Sequence, residues 1–308
     1  MTMRGTREAF IQGLLEAAQA DPAVVLVCAD SFKAARAGPF AAAFPDRVFD
    51  VGIAEQAAAA FAAGLASCGY KPYVNTYAGF IAMRALEQVR LYAGYTGLNV
   101  KFAGLNGGVY GGEREGVTHQ FFEDLAALRA IPGMEIVVPA DAGQVRKAVL
   151  ALASRGGPAY IRLGSGREPD ILGPDARFEF GKLKVLSDTG TDVVLFTQGP
   201  VLARVLKAAE LLKARGVGAV VVEAATLKPF DAEAAAAVAA RCARVVTVED
   251  HSILGGLGSA VAETLAERGL ARPLVRIGIR DVFPQSGPAE ALLDHYGMRP
   301  EDIAAAAT

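Results

Sequence analysis

The chain has 308 residues, of which 52% are hydrophobic and 21% are charged, and its formal net charge is −2. This near-neutral composition argues against a nucleic-acid-binding surface and against a long disordered tail. No apolar run approaches the roughly 20 residues that span a bilayer, and the N-terminus lacks the apolar core of a signal peptide. We therefore expect a cytoplasmic protein that binds neither nucleic acid nor membrane.

The first half of the chain alternates short β-branched runs with stretches that carry apolar residues at helical spacing. This pattern is typical of a parallel sheet covered by helices on both faces. The predicted strands are 24–28, 71–75, 99–103, 135–138 and 159–163, and the predicted helices are 6–20, 55–67, 83–95, 121–130 and 142–154. We therefore predict a doubly wound α/β domain over residues 1–170.

A stretch rich in Gly, Pro and Asp then interrupts the alternation and predicts a linker over residues 171–190. A second alternating block follows, with predicted strands at 192–197, 217–223, 243–249 and 274–277 and predicted helices at 201–215, 232–241, 258–268 and 288–295. It predicts a smaller domain over residues 191–308. The predicted fold class is therefore α/β, with two doubly wound α/β domains.

The three cysteines, Cys28, Cys68 and Cys242, lie far apart in apolar or alanine-rich segments and form no CxxC pair. Such isolated cysteines indicate thiols in a reducing compartment rather than a disulfide framework. We expect all three to be buried.

Candidate site residues follow successive strands of the first predicted domain. They are Asp30, Glu55, Tyr77, Phe80 and, in a Gly-rich loop, His119. Because open α/β sheets bind ligands beyond the carboxyl ends of their strands, we expect these side chains on one side of the sheet. Each has an ordinary alternative, such as a cap for Asp30 or core packing for Tyr77 and Phe80.

Glu55 stands at the mouth of an Ala-rich helix, in the sequence Asp-Val-Gly-Ile-Ala-Glu-Gln at 50–56. A carboxyl group in such apolar surroundings is able to hold or share a proton near neutral pH. A first-turn Glu could instead only complement the positive end of the helix dipole.

Five sets of motifs occur in order along the chain. They are FPDRVFDVGIAEQ at 44–56, TYAGF at 76–80 with RALEQVR at 84–90, GVTHQ at 116–120 with EDL at 123–125, VPAD at 138–141, and EDHS at 249–252 with GGLGS at 255–259. Together they resemble the pyrimidine-binding and C-terminal domains of the transketolase family of thiamine-diphosphate enzymes. The resemblance covers nearly the whole chain and implies a transferase.

The resemblance assigns a role to each candidate residue. Glu55 matches the acid that hydrogen-bonds N1′ of the cofactor's pyrimidine and so makes its 4′-amino group basic. Phe80 matches the ring that stacks on the pyrimidine, with Tyr77 lining the same pocket and Asp30 facing the cofactor. His119 matches the histidine that hydrogen-bonds or protonates the reacting carbonyl oxygen. Glu55 and His119 are thus the predicted catalytic residues.

The family holds the cofactor's diphosphate through Mg²⁺ on a Gly-Asp-Gly motif, and this sequence contains no Gly-Asp-Gly. The resemblance therefore implies the C-terminal subunit of a split transketolase, which shares thiamine diphosphate with a separate N-terminal subunit that carries Gly-Asp-Gly and Mg²⁺. We expect an α2β2 heterotetramer built through a homodimer of this chain, with no metal ligand in this chain.

Departures from the family pattern concern the substrate. Asn106 stands where relatives that act on sugar phosphates usually have His, and Ser165 stands where they have Arg. Phosphate recognition favours Arg forks, which Arg114, Arg167 or the partner could supply instead. The resemblance thus implies transfer of a two-carbon ketol unit from a ketose donor to an aldehyde or aldose acceptor, with an unusual acceptor among small-molecule sugars.

Three alternatives stay open at this point. A deoxyxylulose-phosphate-synthase-like enzyme or the β subunit of a 2-oxo-acid dehydrogenase would use the same Glu but release CO2. A non-catalytic partner subunit would tolerate loss of Glu55. In the second domain, His251 is expected to make a structural hydrogen bond rather than to take part in catalysis.

Overall fold

The N-terminal half of the chain forms one sheet with helices on both faces. This computed structural model describes residues 5–111, 115–173 and 176–308. The strands are β1 (Val24–Cys28), β2 (Val48–Asp50), β3 (Lys71–Tyr77), β4 (Lys101–Leu105), β5 (Glu135–Val137) and β6 (Ala159–Arg162). The helices are α1 (Thr6–Ala20), α2 (Gly38–Ala43), α3 (Glu55–Ser67), α4 (Leu86–Gln88), α5 (Asp124–Arg129) and α6 (Ala142–Ala153).

The C-terminal half repeats this plan on a smaller scale. Its strands are β7 (Lys184–Asp188), β8 (Val193–Thr197), β9 (Ala219–Glu223), β10 (Thr226–Lys228), β11 (Arg244–Ser252) and β12 (Leu274–Ile279). Its helices are α7 (Leu202–Ala214), α8 (Ala232–Arg241), α9 (Leu257–Glu267), α10 (Ala289–His295) and α11 (Pro300–Ala307).

The strands assemble into two mainly parallel sheets. The first has seven strands in the order β10-β5-β6-β4-β3-β1-β2, and the second has five in the order β12-β11-β8-β9-β7. Among these described strands, only β10 and β7 pair antiparallel with their neighbours, at one edge of each sheet. The predicted fold class, with two α/β domains, is confirmed.

The central strands are apolar on both faces because helices cover both sides of the sheet. All five residues of β1 (Val-Val-Leu-Val-Cys) are buried, as expected for a parallel strand packed on both faces. On one side α1 and α6 lie together, and Phe10 and Leu14 of α1 share a core cluster with Val145 and Val149 of α6. A second cluster continues from the first sheet into the second, so the two halves share a core.

Three observed strands, β2, β7 and β10, lie outside the predicted strand ranges. Strand β7 lies inside the predicted linker and covers the edge strand β9. Strand β10 comes from the C-terminal half but pairs with β5 of the first sheet. The domain boundary at 171–190 stays a prediction.

The cysteine prediction was partly wrong. Cys28 and Cys242 are buried, but Cys68 is exposed. Cys68 caps the end of α3, just before the turn at Gly69, where the chain returns to the surface.

Among residues 5–111, 115–173 and 176–308, no helix is both long and apolar enough to cross a membrane.

Candidate active site at the carboxyl end of the first sheet

The order of the first sheet reverses between β1 and β3. From β1 the chain passes to β2 on one side, whereas β3 and β4 lie on the other side. A crevice at the carboxyl ends of strands is expected at such a switch point. Asp30 lies two residues after the end of β1 and Tyr77 ends β3, so two candidate residues flank this point.

Three of the candidate residues form an aromatic cluster. The ring of His119 lies 5.1 Å from the ring of Tyr77 and 5.4 Å from the ring of Phe80, between ring centroids, and Tyr77 and Phe80 are 5.6 Å apart. The ring of Phe121, which the sequence did not single out, packs edge-on at 5.3 Å from Phe80. Tyr77, Phe80 and His119 are only partly buried, so the cluster offers ring surface to a flat ligand.

Glu55 joins this cluster through Arg84, a residue to which the sequence assigned no role. The Glu55 side chain is only 3% exposed, and its Oε2 accepts a hydrogen bond of 2.8 Å from Nη1 of Arg84. The Arg84 guanidinium in turn lies over the Phe80 ring, 4.1 Å from its centroid. Glu55 is therefore not in the wholly apolar surroundings that the sequence suggested, because its carboxylate contacts the Arg84 guanidinium.

A π-helical turn brings Phe80 and Arg84 together. Residues Phe80–Arg84 form the turn, and the N–H of Ala85 donates to the C=O of Phe80 at 3.0 Å. Turns of this kind occur often at functional sites. Gly79 precedes the turn, and a Cβ there would lie 1.7 Å from a ring atom of Phe121, so glycine allows that ring to reach Phe80.

The loop that carries His119 orients its ring. The Thr118 hydroxyl lies 2.9 Å from Nδ1 of His119, and the His119 N–H donates to the C=O of Gly116.

Arg114 lies outside the described residues. Arg167 lines a cavity of 440 Å³ between the two halves, together with Tyr110, Ser165 and Arg204.

Asp30 lies at the same edge of the sheet but outside the aromatic cluster. It has a positive φ of 52°, and its N–H donates to Oδ1 of Asp50 at 2.9 Å. Its side chain is exposed beyond β1. The structure thus brings Tyr77, Phe80 and His119 into contact, links Glu55 to them through Arg84, and leaves Asp30 at the rim.

Arg7 is a second cation that was not predicted from the sequence. Its guanidinium donates to the C=O of Gly164 at 3.3 Å, to the C=O of Ala34 at 3.1 Å and to Oδ1 of Asn106. Burial lowers the pKa of Arg7, and the nearby Tyr77 opposes this effect. Arg7 therefore ties together the loops that follow β1, β4 and β6. It lies in α1, far from every motif, so the sequence carried no signal for this role.

In the second domain His251 has the structural role expected from the sequence. Its Nδ1 lies 2.7 Å from the C=O of Ser252, and its Nε2 lies 3.4 Å from the N–H of Ala126. Burial lowers the pKa of His251 to about 4, so the ring is neutral at pH 7. Within the part of the chain that the structure describes, no three or more His, Cys, Asp or Glu side chains are grouped to hold a metal ion.

Comparison with known proteins identifies both halves of the chain. The family model described as "Transketolase, pyrimidine binding domain" matches residues 3–167. The model described as "Transketolase, C-terminal domain" matches residues 181–303. The two models together account for both sheets.

Known proteins resemble the chain over almost its full length. One of the subunits of the apulose-4-phosphate transketolase of Phocaeicola vulgatus is 39% identical, with 98% of this chain and 96% of that protein covered. The 6-deoxy-6-sulfo-D-fructose transketolase subunit of a Clostridium species is 38% identical, with 98% and 92% covered.

A solved structure gives the same answer. It is described as "Split gene transketolase, inactive beta4 tetramer", and it superposes with a TM-score of 0.89 at 43% identity, covering 99% of this chain and 97% of that chain. The resemblance inferred from the motifs is thereby confirmed, and the chain belongs to the transketolase family.

Proposed function

We propose that this chain is the subunit of a thiamine-diphosphate-dependent transketolase-like enzyme that supplies the cofactor-activating Glu. The enzyme transfers a two-carbon ketol unit from a ketose donor to an aldehyde or aldose acceptor. The observation that carries this proposal is the contact chain from Glu55 through Arg84 to Phe80, beside Tyr77 and His119. It sets a buried carboxylate next to open aromatic surface at a sheet switch point.

These residues fit the aminopyrimidine half of thiamine diphosphate. A flat heteroaromatic ring needs an apolar ring to stack on and a polar group at its edge nitrogen, which Phe80 and Glu55 provide. When bound here, thiamine diphosphate would supply a nucleophilic thiazolium carbon for chemistry at the donor's carbonyl group. Tyr77 lines the same pocket, and Asp30 faces the cofactor from the rim.

Glu55 holds a proton at the pyrimidine nitrogen N1′. Arg84 binds Oε2 of Glu55, and we assign Oε1 to the ring nitrogen. Because Arg84 occupies only one carboxylate oxygen of Glu55, the other oxygen would be left to bind the ring nitrogen. Through that bond Glu55 would make the 4′-amino group of the bound cofactor more basic.

His119 acts on the substrate rather than on the cofactor. Its ring is fixed by Thr118 and by the aromatic cluster. From there it donates a hydrogen bond to the carbonyl oxygen of the donor as negative charge develops on it.

The diphosphate and its Mg²⁺ belong to a separate subunit in this proposal. The sequence has no Gly-Asp-Gly, and two relatives of nearly equal length are described as subunits. Large apolar side chains are exposed along the two segments that carry Glu55 and Arg84, which fits a docking surface for that subunit. They are Ile53, Phe61, Met83, Tyr92 and Tyr95. We propose an α2β2 heterotetramer in the cytoplasm, built through a homodimer of this chain.

The isolated chain is expected to bind thiamine diphosphate negligibly, with or without Mg²⁺. Most of the cofactor's charge is on its diphosphate, for which this chain provides no Gly-Asp-Gly site. Isothermal titration calorimetry of the isolated chain and of the reconstituted pair measures this difference. Micromolar binding by the isolated chain would refute the dependence on a partner.

The reaction type is tested with the reconstituted pair and a panel of phosphorylated and sulfonated ketoses. The two relatives are described as acting on a sulfonated and on a phosphorylated sugar, which supports a specialised substrate here too. We expect ketol transfer to an aldose without CO2 release. CO2 release from pyruvate would favour the deoxyxylulose-phosphate-synthase-like or dehydrogenase alternative. Equal turnover of xylulose 5-phosphate and ribose 5-phosphate would count against an unusual acceptor.

A further inference from the structure

A residue of the second domain holds the loop that leads to His119. Asp250 lies in β11 and is 7% exposed. Its Oδ1 accepts the N–H of Val109 at 2.9 Å, and its Oδ2 accepts the N–H of Tyr110 at 3.1 Å. Both N–H groups belong to the loop that follows β4 of the first domain. Hydrogen bonds from backbone N–H groups to a buried carboxylate are stronger than neutral ones.

The loop passes very close to this carboxylate. Gly108 has a φ of +80°, and a Cβ at this position would lie 2.1 Å from Oδ2 of Asp250. Its N–H donates to the C=O of Phe121 at 2.7 Å, so the outgoing and returning arms of the loop are joined there. Only glycine fits this conformation at this distance.

The returning arm is held by the same part of the second domain. Arg162 donates to the C=O of Asp250 and to the C=O of Phe121, both at 2.8 Å. The N–H of Ser252 donates to the C=O of Phe122 at 2.7 Å. Strand β11 therefore contacts both arms of the loop.

These bonds continue into the candidate active site. The Phe121 ring packs on Phe80 at 5.3 Å and on His119 at 6.3 Å between centroids. A shift of the loop would therefore disturb the Phe80 ring, which we assign to the cofactor, and the His119 ring, which we assign to the substrate.

We propose that Asp250 is a positioning residue, through which the second domain fixes the loop that carries His119 and Phe121. The proposal rests on the proposed function for the roles of Phe80 and His119, but the positioning itself is a property of this chain alone. The second domain thus takes part in organising the active site, without itself touching the substrate.

The test compares Asp250→Asn with Glu249→Gln in the full chain. The Asn side chain keeps the shape of Asp, but its NH2 group faces an N–H donor and the charge is lost. Glu249 is the adjacent buried carboxylate, and it accepts the N–H groups of Leu257 and Gly258 within the second domain only. Glu249→Gln therefore reports the loss of a buried carboxylate that does not contact the loop.

Hydrogen–deuterium exchange of the chain without cofactor is the first readout. We expect Asp250→Asn to speed amide exchange by about 10- to 100-fold in peptides that cover 105–111 and 119–123, because charge-assisted bonds to that loop are lost. Glu249→Gln should leave those peptides unchanged and speed exchange at the start of α9. Gly108→Ala pushes the loop off Asp250 from the other side and should have the same effect on exchange. It serves as the test variant if Asp250→Asn folds poorly.

Steady-state kinetics of the reconstituted pair is the second readout. Asp250→Asn should lower kcat by about 10- to 100-fold with a smaller change in KM, because misplacement of reacting groups mainly slows chemistry. Unchanged exchange at 105–111 and 119–123 in both Asp250→Asn and Gly108→Ala, or equal changes in Glu249→Gln, would overturn the positioning role. If Asp250→Asn speeds exchange as expected but the reconstituted pair proves to catalyse another reaction, only the proposed function would be overturned.

Discussion

Glu55→Gln is expected to lower kcat of the reconstituted pair by about 10²- to 10⁴-fold, the usual contribution of a positioned acid or base. The amide has nearly the same shape as the carboxyl group and can still contact Arg84. It cannot carry the negative charge that holds a proton at the pyrimidine nitrogen. The loss should therefore appear in kcat more than in KM, as expected for an interaction that matters in the transition state.

Glu87→Gln is the matched control for this prediction. Glu87 is an exposed carboxylate on the same helical stretch as Arg84, in α4. Removing its charge should leave kcat and KM within about twofold of wild type, since exposed charges contribute little. If the Glu55→Gln pair retained full turnover, this chain would be a non-catalytic scaffold, and the activating role of Glu55 would be wrong.

Arg162→Met is expected to destabilise the chain by about 3–5 kcal/mol, the cost of removing one partner of a buried ion pair. Arg162 and Asp124 are 8% and 0% exposed, and the guanidinium binds both carboxylate oxygens of Asp124. It also donates to two backbone carbonyls. Burial alone would lower the pKa of Arg162. The carboxylates of Asp124 and Asp250 outweigh this effect, so the pKa of Arg162 is raised.

Urea unfolding measures this loss, with Arg146→Met as the control. Arg146 of α6 makes a similar two-bond contact with Glu16 of α1, but both side chains are more than a third exposed. Exposed ion pairs contribute about 0–1 kcal/mol, so the control should barely shift the midpoint. If the two variants lost the same free energy of unfolding, burial of the Arg162–Asp124 ion pair would add nothing to stability.

The clustering of the candidate site residues was predictable from sequence because parallel strands impose it. Once alternation of strands and helices predicts a parallel sheet, residues that follow neighbouring strands must meet at one edge. Tyr77, Phe80 and His119 do so. Strand β1 was predicted at its observed bounds, because five consecutive apolar residues fit only a buried strand of that length.

The partners of the site residues were not predictable in the same way. Arg84 lies within a quoted motif, but its contact with Glu55 depends on a π-helical turn that has no periodic signature. Asp250 reaches a loop 140 residues away in sequence. Propensity and spacing describe local structure, whereas these bonds depend on how the two halves pack.

Tertiary packing also shortened one predicted helix. Helix α5 begins at Asp124 rather than at 121, because Phe121 and Phe122 leave the helical path to pack elsewhere. Phe121 packs on Phe80, and Phe122 lies against Phe283 of the second domain. Apolar spacing alone could not separate these contacts from the apolar face of a longer helix.

In the proposed enzyme, Glu55 activates a cofactor whose diphosphate is held by another subunit. The most direct measurement is the rate at which the reconstituted pair exchanges the C2 proton of bound thiamine diphosphate for deuterium, read by NMR after acid quench and without substrate. We expect fast exchange in the wild-type pair and exchange slowed by about 10²-fold or more in the Glu55→Gln pair at full cofactor occupancy. Equal exchange rates in the two pairs would contradict this role of Glu55.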